Sequence, residues 1–165
     1  MLFRSDVATL ELEGIPLPTA EAVAARVPLH PSPRALAATC DRLDEKRLAI
    51  SAGVATAPFV AVDDEADLLA ALHEVGTPAV LKRRTQGYDG RGQSVVRDAE
   101  SARSAFREMG GAPSVLEGFV PFDREVSIVT VRDEGGRTAF YPLVENLHRD
   151  GVLHRTIAPA PEVSP

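Results

Sequence analysis

The stretch with the most chemistry in it is Lys82-Arg83-Arg84-Thr85-Gln86-Gly87-Tyr88-Asp89-Gly90-Arg91-Gly92-Gln93. Its lysine closes an apolar run (Ala79-Val80-Leu81), which holds an ammonium at the end of a buried strand. The three glycines that follow let backbone N–H groups approach an anion closely. Cationic charge and backbone donors together suit a polyphosphate. The same pattern fits a long surface hairpin with glycines for turn geometry and arginines for solubility, and spacing alone does not separate the two. The segment is neither a GxxxxGK[ST] loop nor a GxGxxG after a strand. Lysine is scarce here: of 18 basic residues only Lys46 and Lys82 are lysines. A bias toward arginine explains most of that scarcity, yet an ammonium is a compact point charge that a planar guanidinium does not replace.

Other candidates are weaker on their own. Glu117 reads as a solvated glutamate at a strand end, and Phe119 and Phe122 as core. His30, His73 and His154 have no supporting context, and Asp63-Asp64-Glu65 is a charge run that favours a helix N-terminus. Cys40 is the single cysteine, so an intrachain disulfide and a multi-cysteine metal site are excluded.

The elements that must position these residues follow from periodicity and punctuation. Residues 5–12 alternate into Gly14-Ile15-Pro16 and predict a short strand. Residues 18–27 predict a short helix, and Pro28, Pro31 and Pro33 a linker. Ser32 is placed to cap a helical turn over 33–38, and Asp41 to cap a helix that Gly53 ends. From there strand and helix alternate: a strand over 59–62, a helix over 63–75, a strand over 79–81, the glycine-bearing loop over 83–92, a strand over 93–96, a helix from the Asp98 cap to Met109, and a strand over 115–117. Residues 125–131 and 138–144 alternate around Asp133-Glu134-Gly135-Gly136 as a hairpin. The expected class is α+β, with helices on one face of a largely antiparallel sheet.

The bulk numbers agree with one globular domain: 165 residues, 44% hydrophobic, 25% charged, formal net charge −6. The acidic excess argues against a broad nucleic-acid surface. No apolar run approaches the roughly 18 residues that cross a bilayer, no signal-like leader opens the chain, and a cytoplasmic location is expected.

Several ordered blocks are more specific than any single loop. Asp41-Arg42-Leu43, Lys82-Arg83-Arg84, GYDGRGQ at residues 87–93, and Tyr141-Pro142-Leu143-Val144-Glu145-Asn146-Leu147-His148-Arg149-Asp150-Gly151 closely resemble the 5-(carboxyamino)imidazole ribonucleotide synthases, a family of ATP-grasp ligases of purine biosynthesis. The resemblance runs from Asp6 to Pro159. It implies an incomplete ATP-grasp fold over 34–165, preceded over 1–33 by the end of an N-terminal α/β domain, with ATP held between two α+β lobes.

It further implies that Arg42 and Lys82 contact the ATP phosphates, and that Gly87, Tyr88, Asp89, Gly90, Arg91, Gly92 and Gln93 form a flap over them. Lys82 and Arg91 are the implied catalytic residues, with Tyr88 and Arg91 toward the ribonucleotide. Glu117, Gly118, Phe119 and Val120 correspond to the hinge that meets adenine, Glu125 to the glutamate on the ribose hydroxyls, and His148 to a further nucleotide contact. The implied reaction joins bicarbonate to 5-aminoimidazole ribonucleotide with ATP and magnesium, giving ADP and phosphate, and the longer protein is expected to be a homodimer. The family's magnesium-binding carboxylates and its ribonucleotide-binding glycine-rich loop have no counterpart here, so a fragment without turnover of its own is expected. The alternatives are another ATP-grasp ligase, such as a formate-dependent glycinamide ribonucleotide transformylase or a biotin carboxylase, or a non-catalytic nucleotide-binding module.

Overall fold

The computed structural model describes residues 4–12, 14–87, 91–149 and 151–162. The chain packs as two compact units, one through Gly87 and over 92–119, the other comprising Arg91 and residues 120–162.

In the first unit, β1 (Ala8–Thr9), α1 (Leu17–Ala24) and β2 (Leu29–His30) come before α2 (Pro33–Thr39) and α3 (Arg42–Ser51). The predicted strand over 5–12 shrinks to β1, and the expected proline linker contains β2, which pairs with it in parallel. Pro28 and Pro31 flank β2 rather than interrupt it, so neither proline withholds a ladder donor. Ala20, Leu29 and Leu36 form a small core here, so α2 packs with the elements that precede it. Ser32 caps α2 through the N–H of Ala35, and Asp41 caps α3 through the N–H of Leu43.

The rest of this unit is β3 (Phe59–Val62), α4 (Glu65–Val75), β4 (Ala79–Arg83), β5 (Gln93–Val96), α5 (Ala99–Glu108) and β6 (Ser114–Gly118). The four strands form one antiparallel sheet in the order β3-β6-β4-β5. Alternation along the strands sorts the faces. Val62, Leu81, Val96 and Leu116 point toward Leu68 and Ala71 of α4 and Ala102, Ala105 and Phe106 of α5, which make up the main core. Lys82, Val115 and Glu117 therefore lie on the face away from those helices. This is the expected α+β arrangement. Asp64 and Asp98 cap α4 and α5, the second through a reciprocal capping box with Ser101.

The second unit contains β7 (Glu125–Ser127), β8 (Thr130–Arg132), β9 (Thr138–Phe140), β10 (Val144–Arg149) and β11 (Val152–Ile157). The predicted hairpin forms, but each of its strands is broken. Tyr141 N–H donates to Val129 at 2.9 Å in register with β8–β9, whereas Val144 pairs with Ser127. Ile128 is thus opposed by both Pro142 and Leu143, a bulge at a residue with no N–H to give. β11 has no counterpart among the predicted elements; it pairs antiparallel with β10 across Gly151, whose φ is 78°. No helix among the described residues is long and apolar enough to cross a membrane.

Candidate functional site

The N-terminus of α3 and the loop after β4 are laced together. Arg42 Nε donates to the carbonyl of Arg83 and its Nη2 to that of Gly87, both at 3.1 Å. The Arg42 N–H donates to the Arg84 carbonyl, and the Arg84 N–H to the Pro113 carbonyl, each at 3.0 Å. Arg84 returns its guanidinium to Asp41, Nε reaching Oδ1 at 3.0 Å and Nη2 reaching Oδ2 at 2.7 Å. At the other end of the loop, the Arg83 N–H donates to the Gly92 carbonyl at 2.8 Å. Gly92 has φ 73°, and a Cβ there would come within 3.2 Å of the Arg83 side chain, so two separate constraints favour glycine. Both ends of the glycine-bearing segment are therefore anchored.

Burial alone would raise the Asp41 carboxyl, but the Arg84 hydrogen bond, the Leu43 N–H and the guanidinium charge outweigh it and hold the carboxyl below its ordinary 3.8. The same pairing raises Arg84. A group depressed in the folded state contributes its stabilisation in full above the unfolded value and loses it as pH falls through the folded one. Asp41→Asn is thus expected to cost about 1.5–3 kcal/mol at pH near 6, the range for hydrogen bonds to charged groups. The gap between the urea midpoints of the two proteins should narrow below about pH 4 as the wild-type carboxyl is protonated. A gap independent of pH would count against the ion pair.

On the face of the sheet away from α4 and α5, Glu117 is 7% exposed and takes two ammonium groups on one oxygen. Lys82 Nζ lies 3.0 Å from Glu117 Oε2, and Lys46 Nζ, reaching across from α3, 3.1 Å from the same atom. Lys46 also stands 5.3 Å from the centroid of the Phe59 ring. The strand register explains the cluster: Phe59 and Val80 flank Glu117 directly, and Lys82 pairs with Val115 one step along the same face. The solvated glutamate expected from sequence is thus a buried one, and it became a paired charge because its strand is central.

Sequence reasoning singled out Lys46 as a retained lysine but did not place it in the site. Its signal was that scarcity alone, since the two lysines lie 36 residues apart and only the fold brings them to one carboxylate.

Of the remaining candidates, Gln93 is exposed opposite Lys82 in the ladder, and Gly118 gives its N–H to Pro58 at 2.9 Å. Phe119 gives its N–H to Pro78 at 3.2 Å. Phe119 and Phe122, expected in a core, are 44% and 61% exposed, because they fall on the connection after β6 instead of inside either sheet. Val120 and Arg91 are exposed in the second unit. Tyr88, Asp89 and Gly90 lie outside the described residues.

In that second unit, Glu125 and His148 meet. Their Oε2 and Nδ1 are 2.7 Å apart, so an ionised Glu125 accepts from an Nδ1–H. The β10–β11 register shifts between Leu147 and His148, a bulge that re-aims this side chain. Asn146 steadies the three-stranded sheet, donating to Ser127 Oγ at 2.8 Å and accepting from Thr156 Oγ1 at 3.0 Å.

Among the described residues no three His, Cys, Asp or Glu side chains gather to hold a metal ion. The arrangement in the first unit can balance an added anion. Two cations face one carboxylate where the glycine-bearing loop leaves β4.

A family model described as an ATP-grasp domain matches residues 47–164. The N5-carboxyaminoimidazole ribonucleotide synthase of Pseudomonas aeruginosa is 45% identical over 153 residues, which take in 93% of this chain and 42% of that protein. The solved N5-carboxyaminoimidazole ribonucleotide synthetase of Thermus thermophilus is 46% identical at TM-score 0.87, over 96% of this chain and 42% of that one. The Aspergillus clavatus N5-carboxyaminoimidazole synthase in complex with ADP and 5-aminoimidazole ribonucleotide is 26% identical at TM-score 0.86, over 96% and 41%. The chain thus spans about two fifths of the length of these relatives.

Proposed function

The chain belongs to the ATP-grasp family, and from that premise we propose that it carries the triphosphate-gripping part of a ligase that carboxylates 5-aminoimidazole ribonucleotide. The observation that carries this reading is the pair of ammonium groups on buried Glu117, beside a loop anchored at both ends. In the proposed reaction a bicarbonate oxygen attacks the γ-phosphorus of ATP, the bond to the β-phosphate oxygen breaks, and ADP leaves. The resulting carboxyphosphate releases phosphate as its carboxyl carbon passes to the exocyclic amine, which gives up a proton. A phosphoryl transfer of this kind asks the protein for position and fixed positive charge, and no side chain has to form a covalent bond.

In this reading Lys82 meets the phosphates, Arg42 holds the loop from Arg83 to Gly87 in shape and turns toward the same charge, and residues 87–93 close over it. Arg91 is the proposed contact to the transferring group. Glu117, Gly118, Phe119 and Val120 are the proposed adenine hinge, with Gly118 and Phe119 already fixed through their backbone N–H groups. Glu125 and His148, hydrogen-bonded to each other, are proposed for the ribose hydroxyls, which suit a carboxylate acceptor.

Titration calorimetry with ATP tests the premise. Saturable 1:1 binding is expected, with tripolyphosphate competing. A chain that melts cooperatively yet takes up no nucleotide would instead favour a purely structural module.

A further inference from the structure

Glu117 Oε2 is shared by two ammonium groups where one would neutralise it, and the two are held differently. The Lys46 side chain is 15% exposed and has a second anchor on the Phe59 ring. The Lys82 side chain is 26% exposed and sits next to the last residue of β4, where the glycine-bearing loop departs. A carboxylate at 9% side-chain exposure that lost its only cation would be left charged in a desolvated place, which is strongly unfavourable. If Lys82 were that only cation, any phosphate would have to win it from Glu117.

We infer that Lys46 is a positioning residue that stays on Glu117 as its standing counter-charge, so that Lys82 is free to transfer to a phosphate. The inference rests on the nucleotide reading above and adds a division of labour to it: one lysine keeps the glutamate paired and in place, the other exchanges partners. Both lysines are needed because the glutamate and the incoming phosphate are both anions. A merely structural Lys46 would stabilise the chain without altering the competition for Lys82.

Inorganic tripolyphosphate separates the two, since it has no base or ribose to touch the hinge. Calorimetric titrations of the unchanged chain, Lys46→Met, Glu117→Gln and the double variant form a cycle, with far-ultraviolet circular dichroism melts to restrict the comparison to folded protein. Lys46→Met should bind about tenfold more weakly, because Glu117 now claims Lys82. Glu117→Gln should bind tripolyphosphate more tightly than the unchanged chain, because nothing then competes with it for Lys82. The double variant should recover to within about threefold of the unchanged chain, since a neutral glutamine no longer competes.

Unaltered affinity in Lys46→Met would overturn the inference. So would a double variant as weak as Lys46→Met, the outcome if Lys46 were a direct phosphate ligand or a simple prop. Should Lys46→Met unfold, Glu117→Gln carries the test alone, and binding there no tighter than in the unchanged chain overturns it. No tripolyphosphate binding by the unchanged chain would also overturn it, while ATP binding in that case would leave the nucleotide reading standing.

Discussion

Lys82→Ala is expected to weaken ATP binding by about 2–5 kcal/mol, roughly thirtyfold to a few thousandfold, the range for truncating one member of a desolvated charge pair. The variant should still fold. Glu117 keeps Lys46 at 3.1 Å, so the buried carboxylate is not orphaned when the other ammonium goes. Alanine also keeps β4 intact, because the ladder from Lys82 to Val115 and Gln93 is made by backbone groups. Calorimetry with ATP, next to a thermal melt, separates loss of the ligand from loss of the fold. Affinity within a factor of about two of the unchanged chain would remove Lys82 from the site. If the proposed ligase reading holds, the matching substitution in a full-length relative should depress kcat/KM by at least as much, since phosphoryl transfer gathers more charge at that point than the ground state holds.

Leu116→Ala should lower the stability of the first unit by about 2–5 kcal/mol, the cost of a leucine-sized cavity in a core that cannot collapse around it. Leu116 is fully buried and sits on the central strand β6, where it is opposed by Val60 on one side and Leu81 on the other. Strands on both sides fix its surroundings, and α4 and α5 close the face above, so little relaxation is available. Urea denaturation followed by far-ultraviolet circular dichroism reports on this unit, because the described helices all lie within it. A shift below about 1 kcal/mol would mean that the layers repack.

What the sequence reveals here depends on how local the cause is. Ser32, Asp41 and Asp98 announce their helices because a cap bonds to a backbone N–H within three residues of itself. The stretch from β4 through the glycine loop to β5 and α5 was equally readable, as a run of apolar, glycine and capping signals in fixed order. β2 was not, since two residues between prolines carry no periodicity and only the pairing with β1 makes them a strand. Nor was the break between Ser127 and Thr130, because Pro142 acts on it from the opposite strand.

The candidate site divides in the same way. Lys82 and the residues after it are a contiguous motif, whereas the Glu117 cluster draws one side chain each from α3, β4 and β6, a juxtaposition only the folded register creates. The meeting of Glu125 with His148 is similar, 23 residues apart in sequence and joined across β7 and β10.

The second unit has almost no interior: among its described residues only Ala160 is buried, while Ile128, Val129, Val131, Phe140 and Tyr141 are each at least half exposed. Its strands are tied by ladder hydrogen bonds with little apolar burial behind them, and such segments open at free energies far below global unfolding. No single unfolding constant then describes the molecule. It is a steep thermodynamic gradient along one polypeptide, in which the pair formed by Glu125 and His148 belongs to a cheaply opened foldon and the lysine-clasped glutamate to an expensive one.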